Sequence, residues 1–263
     1  MTFAADRPTL SNDGLRAAAS DVAWRPVQVV ASTGSTNADA AARAAAGAAE
    51  GLVIAADEQT AGRGRLGRSW VSPPGASVSV SVLLRPALAP DQLGWLPLLT
   101  GLAVAAGVSE ATGVATQLKW PNDVLAAGGK ISGVLLERTA DAAIVGFGIN
   151  TAMTAAELPV PEASSVLLAG GDASDPDALV AACLRQLHRR YGLLTAAGDA
   201  ERCGLAAEYR SRCGTIGRQV VADLPSGEQL PGHAVDVDAE GRLVIATAGR
   251  PRAVAAGDIR HLR

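Results

Sequence analysis

Two hydrophobic periods alternate along the chain, and they place most of its elements. Val27 to Ala31 (VQVVA) and Leu52 to Asp57 (LVIAAD) are short apolar runs between turn residues, the pattern of buried strands. Between them an alanine-rich run predicts a helix with Thr36 as N-cap, Asp39 three residues on and Gly51 at its end. Ala76 to Leu84 (ASVSVSVLL) alternates serine with apolar residues and predicts a half-buried strand. Leu96 to Thr112 suits a helix with Pro97 in its first turn, where a missing N–H is harmless. TQLKW is a short strand stopped by Pro121. Asp123 to Arg138 predicts a hairpin turning at Gly128-Gly129, and Ala142 to Asn150 a further strand. Two helices follow, Asp177 to Ala197 and Asp199 to about Ser211. The first repeats Leu179, Cys183, Leu187 and Tyr191 at helical spacing, a stripe for core packing.

From Gly214 the texture changes. QVVADL, GHAVDVD, GRLVIAT and RAVAA are short strands between Gly, Pro and Asp turns, the pattern of a small β-barrel. The chain therefore divides into a polar leader (1–25), an α+β domain (26–213) and an appended barrel (214–263). No repeat of 20–50 residues is visible.

Composition narrows the function. With 23 Lys plus Arg against 26 Asp plus Glu, the net charge is −3, which argues against a chain that coats nucleic acid or an anionic membrane. No apolar run reaches the roughly 18 residues of a membrane span, and the acidic leader has no apolar core like that of a signal peptide. Cys183, Cys203 and Cys213 form no CxxC pair and predict reduced thiols in a cytoplasmic protein. His188, His233 and His261 are scattered, so no metal-ligand set is predicted. Only two of the 23 basic residues are lysines, Lys119 and Lys130, and both fall within LKWPNDVLAAGGK. A bias toward arginine explains the scarcity but not the clustering. A compact ammonium on a flexible stem does things that a planar guanidinium does not.

Three constellations carry candidate chemistry. Gly62-Arg63-Gly64-Arg65-Leu66-Gly67 matches G-x-G-x-x-G after a strand, but the dinucleotide-binding form needs a helix directly after the glycines, and Pro73-Pro74 forbids one. What remains is a loop whose free N–H groups, with Arg63, Arg65 and Arg68, suit a phosphate or carboxylate. The second is Lys119-Trp120-Pro121-Asn122-Asp123 with Lys130 and Ile131-Ser132-Gly133. Turn chemistry explains Pro-Asn-Asp, but not why a lysine stands on each side. The third is Gly146-Phe147-Gly148-Ile149-Asn150, where small residues at a strand end let a ligand approach the backbone.

In order, Ser35-Thr36-Asn37, Gln59 with GRGRLGRSW, KWPND with Lys130 in GGKISGVLLE, and GFGIN resemble the signature of biotin protein ligases, over residues 27–151. The C-terminal segment is similar to the SH3-like barrel of that family. The resemblance implies a mixed β-sheet with helices of the biotin/lipoate ligase type. It also implies ATP and biotin as substrates with Mg²⁺, a biotinyl-5′-adenylate intermediate, and transfer to a lysine of the biotin carboxyl carrier domain of an acyl-CoA carboxylase. Family members that double as repressors carry an N-terminal winged helix-turn-helix. With about 25 residues before the first strand, the likeness is to the monofunctional form, with no nucleic acid and no membrane as partner.

By the same resemblance, biotin falls to Ser35, Thr36, Asn37, Gln59, Arg63, Gly64, Arg65, Lys130, Gly133 and Gly146. ATP and the adenylate fall to Arg63, Arg65, Arg68, Trp70, Asn122, Lys130 and Asn150. The chemistry falls to Lys130, Arg65 and Asp123, with no metal ligand among them. The arginine loop is expected to close over an adenylate that water would destroy, with Trp70 over the adenine. A lipoate ligase, related in fold and chemistry, is the nearest alternative. A binding module working through the barrel is another, and the arginines scattered around Arg250, Arg252, Arg260 and Arg263 give it no basic stripe.

Overall fold

The computed structural model describes residues 7–262; residues 1–6 of the leader and Arg263 of the barrel lie outside the described residues. Strand β1 (Val27–Thr33) runs parallel to β2 (Val53–Gln59), with helix α2 (Thr36–Ala45) crossing between them. The sheet continues antiparallel through β3 (Ser77–Leu84), β7 (Ala143–Asn150), β6 (Gly129–Arg138), β5 (Asp123–Ala126) and β4 (Thr116–Lys119), giving a mixed sheet of seven strands. One face packs on α3 (Trp95–Thr112) and α4 (Pro176–Ala197), burying Val78, Val80, Val82, Val145, Phe147 and Ile149 in the main core. On the other face Ala40 and Ala44 of α2 lie on Ile54, Leu83 and Ile144 in a smaller core. The apolar stretch Pro90–Thr112 has 72% of its most apolar window buried inside the protein, so core packing accounts for its composition.

The α+β class and the appended β domain are as the sequence predicts, and several details differ. β3 is buried on both faces, not half-buried, because α2 and residues 60–72 cover its serine side. There the hydroxyls satisfy one another: Ser72 Oγ and Ser77 Oγ are 2.7 Å apart. Ser35, not Thr36, caps α2. Its backbone is extended and its Oγ accepts from Ala38 N at 3.4 Å, while Thr36 has already entered the helix. α2 ends at Ala45, well before Gly51, because Gly47 at φ 85° turns the chain early. The hairpin turns at Ala127-Gly128, both with positive φ, one residue before the predicted glycine pair. That conformation is the turn whose twist matches the flanking strands.

The leader holds a helix, α1 (Asn12–Ala18), capped by Ser11, whose single buried apolar residue, Leu15, gives too little periodicity to read. Arg7 ties the same segment down through two bonds to Glu157, at 2.9 and 2.7 Å. The last helix, α5 (Leu205–Arg212), begins six residues later than Asp199, which instead accepts from Arg202 N in a turn.

The barrel comprises β8 (Gln219–Asp223), β9 (Gln229–Val237), β10 (Leu243–Ala246), β11 (Arg252–Val254) and β12 (Asp258–His261), antiparallel in the order β11-β10-β9-β8-β12. β12 was not predicted, because DIRH lacks an apolar alternation. The barrel fixes the turn after β4. Gly214 N donates to Leu118 O (2.8 Å), Trp120 N to Thr215 Oγ1 (3.1 Å) and Trp120 Nε1 to Gly241 O (3.0 Å). His261 Nε2 lies 3.1 Å from the same Thr215 hydroxyl.

Burial, with Lys119 and Arg218 adding, lowers the His261 imidazole from 6.5 to about 4. The unfolded chain therefore takes up a proton at higher pH than the folded one. Stability that is complete above about 6.5 is lost as the pH falls toward 4. The thermal midpoint is expected to fall between pH 7 and pH 5, and to fall less in His261→Asn. Circular dichroism melts across that range check it.

Candidate active site

The site lies on the face of the sheet that α2 leaves open. Beyond the N-terminus of α2 this face carries Ser79, Ser81, Gly146 and Gly148 on β3 and β7 and Gly133 on β6, with Leu135 beside Gly146. The adjacent strands β3 and β7 thus present no bulky side chain there, and a deep floor results. The cavity above it is lined by Ser35, Thr36, Asn37 and Gln59 at one end. Asn122, Asp123, Lys130 and Asp258 stand at the other, and the loop from Arg63 to Trp70 forms the roof.

At the α2 end a hydrogen-bond network sets the orientations. Gln59 Oε1 accepts from Thr36 N (2.8 Å) and Thr36 Oγ1 (3.1 Å). Asn37 Nδ2 donates to Glu137 Oε2 (2.7 Å), and its Oδ1 lies 2.6 Å from Ser81 Oγ. Both ends of the Asn37 amide are thus committed. Gly146 makes room for it, since a Cβ there would stand 2.1 Å from Asn37 Oδ1.

Trp70 forms a side wall. A Cβ at Gly148 would lie 2.4 Å from its Cε2, and one at Gly133 would lie 3.5 Å from its Cζ3, so the indole rests on glycine backbone. The Lys130 ammonium is 5.9 Å from the ring centroid, inside cation–π range. The indole N–H is buried and has no acceptor among the described residues. A donor in that position is one that a bound ligand or water would satisfy.

The loop is a closed hairpin. Gly64 N donates to Arg68 O (2.7 Å) and Trp70 N to Gly62 O (2.9 Å), while Leu66 at the tip has φ 55° and is 60% exposed. Its three arginines diverge to different anchors. Arg63 pairs with Glu137 at 3.1 Å. Arg65 Nη1 donates to Asn122 Oδ1 (3.1 Å) and to Gly257 O (3.4 Å), and Arg68 forms a two-bonded ion pair with Asp258.

At the cationic end Lys130 Nζ lies 2.5 Å from Asp123 Oδ1. A register shift between Val124 and Leu125 accompanies the pairing of β5 with β6, the kind of irregularity that re-aims a side chain. Burial pulls the Arg65 guanidinium down, and the nearby Asp123 and Asp258 carboxylates oppose that. The Arg68 hydrogen bond holds the Asp258 carboxyl below the usual range, with Lys119 and Arg65 adding to it. Lys119 itself is not part of the lining.

Of the residues assigned to biotin, nucleotide or the chemistry from the sequence, Asn150 alone is not brought to the cavity. It is buried at the end of β7, where its Nδ2 donates to Ser164 O at 2.8 Å. Ser79, Ser81, Leu135, Glu137 and Asp258 belong to the site and were not anticipated. The serine alternation in β3 was a usable sign for two of them. Glu137 closes the quoted GGKISGVLLE run without having been given a role, and no local pattern marks Asp258.

A slot with neutral hydrogen-bonding groups at one end, cations at the other and a glycine-arginine roof can hold an organic acid against a phosphate. The sheet with its barrel is the architecture of biotin protein ligases. Residues 29–150 match the Biotin/lipoate A/B protein ligase family, and residues 215–262 match the Biotin protein ligase C terminal domain. The chain is 44% identical over 245 residues to the biotin–[acetyl-CoA-carboxylase] ligase of Mycobacterium tuberculosis, covering 91% of this chain and 90% of that one. The structure of the Aquifex aeolicus biotin protein ligase in complex with biotin and ATP aligns with a TM-score of 0.78 at 27% identity, over 91% of this chain and all of that one. The Leishmania major biotin protein ligase in complex with biotinyl-5-AMP gives 0.61 at 25% identity, over 90% and 98% of the two chains. This chain belongs to the biotin protein ligase family.

Trp24, Trp95 and Trp120 are buried in the cores, so Trp70 is the tryptophan that reports on the cavity. Gly148→Ala should push its ring outward and shift tryptophan emission to the red. Adding Trp70→Phe should abolish the shift, and fluorescence spectra of the three proteins compare them.

Proposed function

We propose that the chain joins biotin to a lysine of a carrier protein in two steps driven by ATP. The biotin carboxylate attacks the α-phosphate of ATP, forming an acyl–phosphate bond and releasing pyrophosphate. A lysine amine then attacks the acyl carbon, loses a proton and displaces AMP. The observation that carries this reading is the single covered slot running from Ser35, Thr36, Asn37 and Gln59 to Lys130. Its two ends suit the two ends of biotin, a neutral ureido ring and a carboxylate.

The first step brings two anions together while charge builds on oxygen, so it needs cations already in place. Lys130 is proposed to reach the carboxylate and α-phosphate, with Arg63, Gly64 and Arg65 covering both from the loop. Ser35, Thr36, Asn37 and Gln59 receive the ureido end, and Gly133 and Gly146 keep the floor low enough for it. Arg68, Trp70 and Asn122 serve the nucleotide. Asn150 contributes from outside the lining: it holds Ser164 O, and Ser164 N donates to Lys130 O at 2.8 Å, so it steadies the backbone of Lys130.

In the second step Asp123, beside Lys130, orients the incoming amine and takes its proton. The proposed acceptor is the biotin carboxyl carrier domain of an acyl-CoA carboxylase. Magnesium enters this reading with the nucleotide, since it asks for one or two carboxylates beside phosphate oxygens. Asp123 and Asp258 are the carboxylates of the lining, and no cluster of three metal-ligating groups occurs among the described residues. The ion would offset triphosphate charge. Three unpaired cysteines support a cytoplasmic setting.

Incubating the protein with labelled ATP, biotin and a carrier domain should yield biotinylated carrier, and no label on the carrier would overturn the reading. Titration calorimetry should show binding of biotin and not of lipoate. Lys130→Arg should slow adenylate formation, measured by pyrophosphate exchange, by about a hundredfold, and full activity would show that an ammonium is not required. Asp123→Ala should slow transfer at least about tenfold more than adenylation. Equal losses in the two half-reactions would remove Asp123 from the proton-transfer role.

A further inference from the structure

We propose that Asp258, the first residue of β12 in the barrel, is a positioning residue that latches the arginine loop over the cavity and sets how long an adenylate is retained. The loop is built from residues of the catalytic domain, yet one of its two charged anchors lies in the other domain. Its near end is tied through Arg63 to Glu137 of β6. Its far end has its ion pair in the barrel: among the described residues Arg68 pairs with Asp258 alone, through two hydrogen bonds. One residue earlier, Gly257 O accepts from Arg65.

The loop itself supplies little rigidity to replace that anchor. Gly62 and Gly64 stand at its near strand and Gly67, at φ 74°, at its tip, so the backbone between the two arginine anchors turns easily. A Cβ at Gly62 would stand 2.4 Å from Trp70 O, so closure also needs the glycine.

Asp258 is more than one partner of an exposed pair. An exposed ion pair by itself shifts an equilibrium by no more than about fivefold. Asp258 also lines the cavity, and its carboxylate acts on Lys119 and on the buried Arg65 as well as Arg68. Removing its charge therefore leaves Lys130, Arg65 and Arg68 at one end of the slot, and Lys119 outside the lining, with a single lining carboxylate, Asp123, among them. The expected result is a loop that opens more often and releases its ligand sooner.

The first test needs no ligand. Hydrogen exchange on the full chain follows the Gly64, Arg68 and Trp70 amides, which are bonded to Arg68 O, Arg65 O and Gly62 O. Asp258→Asn should speed their exchange about three- to tenfold, beyond the exposed-pair limit at the upper end, and leave the β8–β9 amides unchanged. Unchanged loop amides would overturn the latch. Equal acceleration in β8–β9 would show a barrel-folding residue instead and overturn it too.

The second test rests on the biotin ligase reading. Labelled adenylate formed on the protein is chased with excess unlabelled biotin. Asp258→Asn should release label three- to tenfold faster, and Asp258→Glu should restore retention. Arg68→Gln should speed release less than Asp258→Asn, and the double variant should be no faster than Asp258→Asn alone, because Arg68 acts through Asp258. Additive effects, or retention equal to that of the unaltered protein, would overturn the proposal. Failure of the unaltered protein to form any adenylate would instead count against the functional reading, and the exchange result would still decide the latch.

Discussion

Everything in the site depends on two neighbouring strands, β3 and β7, having one face without bulk. In β3 and β7 the odd and even positions have opposite duties. Val78, Val80, Val145 and Phe147 go to the core under α3 and α4, while Ser79, Ser81, Gly146 and Gly148 go to the cavity. A strand allows this division because successive side chains point to opposite faces. The core side sets the strands rigidly, and the cavity side can then be cut close to the backbone without loosening the sheet. Trp70 rests on the space left by Gly148, and the Asn37 amide fills that left by Gly146. A methyl group at either position would move a wall of the site.

Charge is arranged with the same economy. The cations of the site do not stand free; each is matched to a carboxylate or a carbonyl on a different element. Lys130 meets Asp123 on the neighbouring strand, Arg63 meets Glu137 on β6, and Arg65 and Arg68 meet the barrel. Such matching keeps cations in a partly buried place at tolerable cost, because an unpaired buried charge is strongly disfavoured. It also makes the barrel part of the cavity. The barrel grips the turn after β4 through Trp120 and the loop through Arg68, so the site draws on both the seven-stranded sheet and the barrel.

The sequence was legible where one local rule governs. The apolar runs gave the strands, and the order of the motifs gave the family and nearly the whole cavity lining. It was less legible where two residues competed for one role. Ser35 and Thr36 are both good N-caps, and what decides is Gln59 and Ser81 claiming the Thr36 hydroxyl, contacts made across the fold. The serines of β3 read as solvent-facing because alternation shows that one face is polar, not what covers it. Asn150 closes a familiar motif yet bonds Ser164 O away from the cavity, since its place near the strand end says nothing of where its amide points. Asp258 has no local sign at all. Its meaning comes from Arg68, 190 positions away in the chain.

The scarcity of lysine gains a chemical meaning from where the two lysines lie. An enzyme that holds an activated acyl group is exposed to attack from its own amines. Here the amine nearest the slot, Lys130, is held against Asp123 at 2.5 Å. Lys119 lies outside the lining, where Asp258 of the barrel feels its charge. The remaining side-chain cations are arginines, which stay protonated and are poor nucleophiles. A chain that carries its positive charge almost entirely as guanidinium can hold anions in the slot and still offer a reactive acyl phosphate little to acylate, leaving the visiting lysine with little competition.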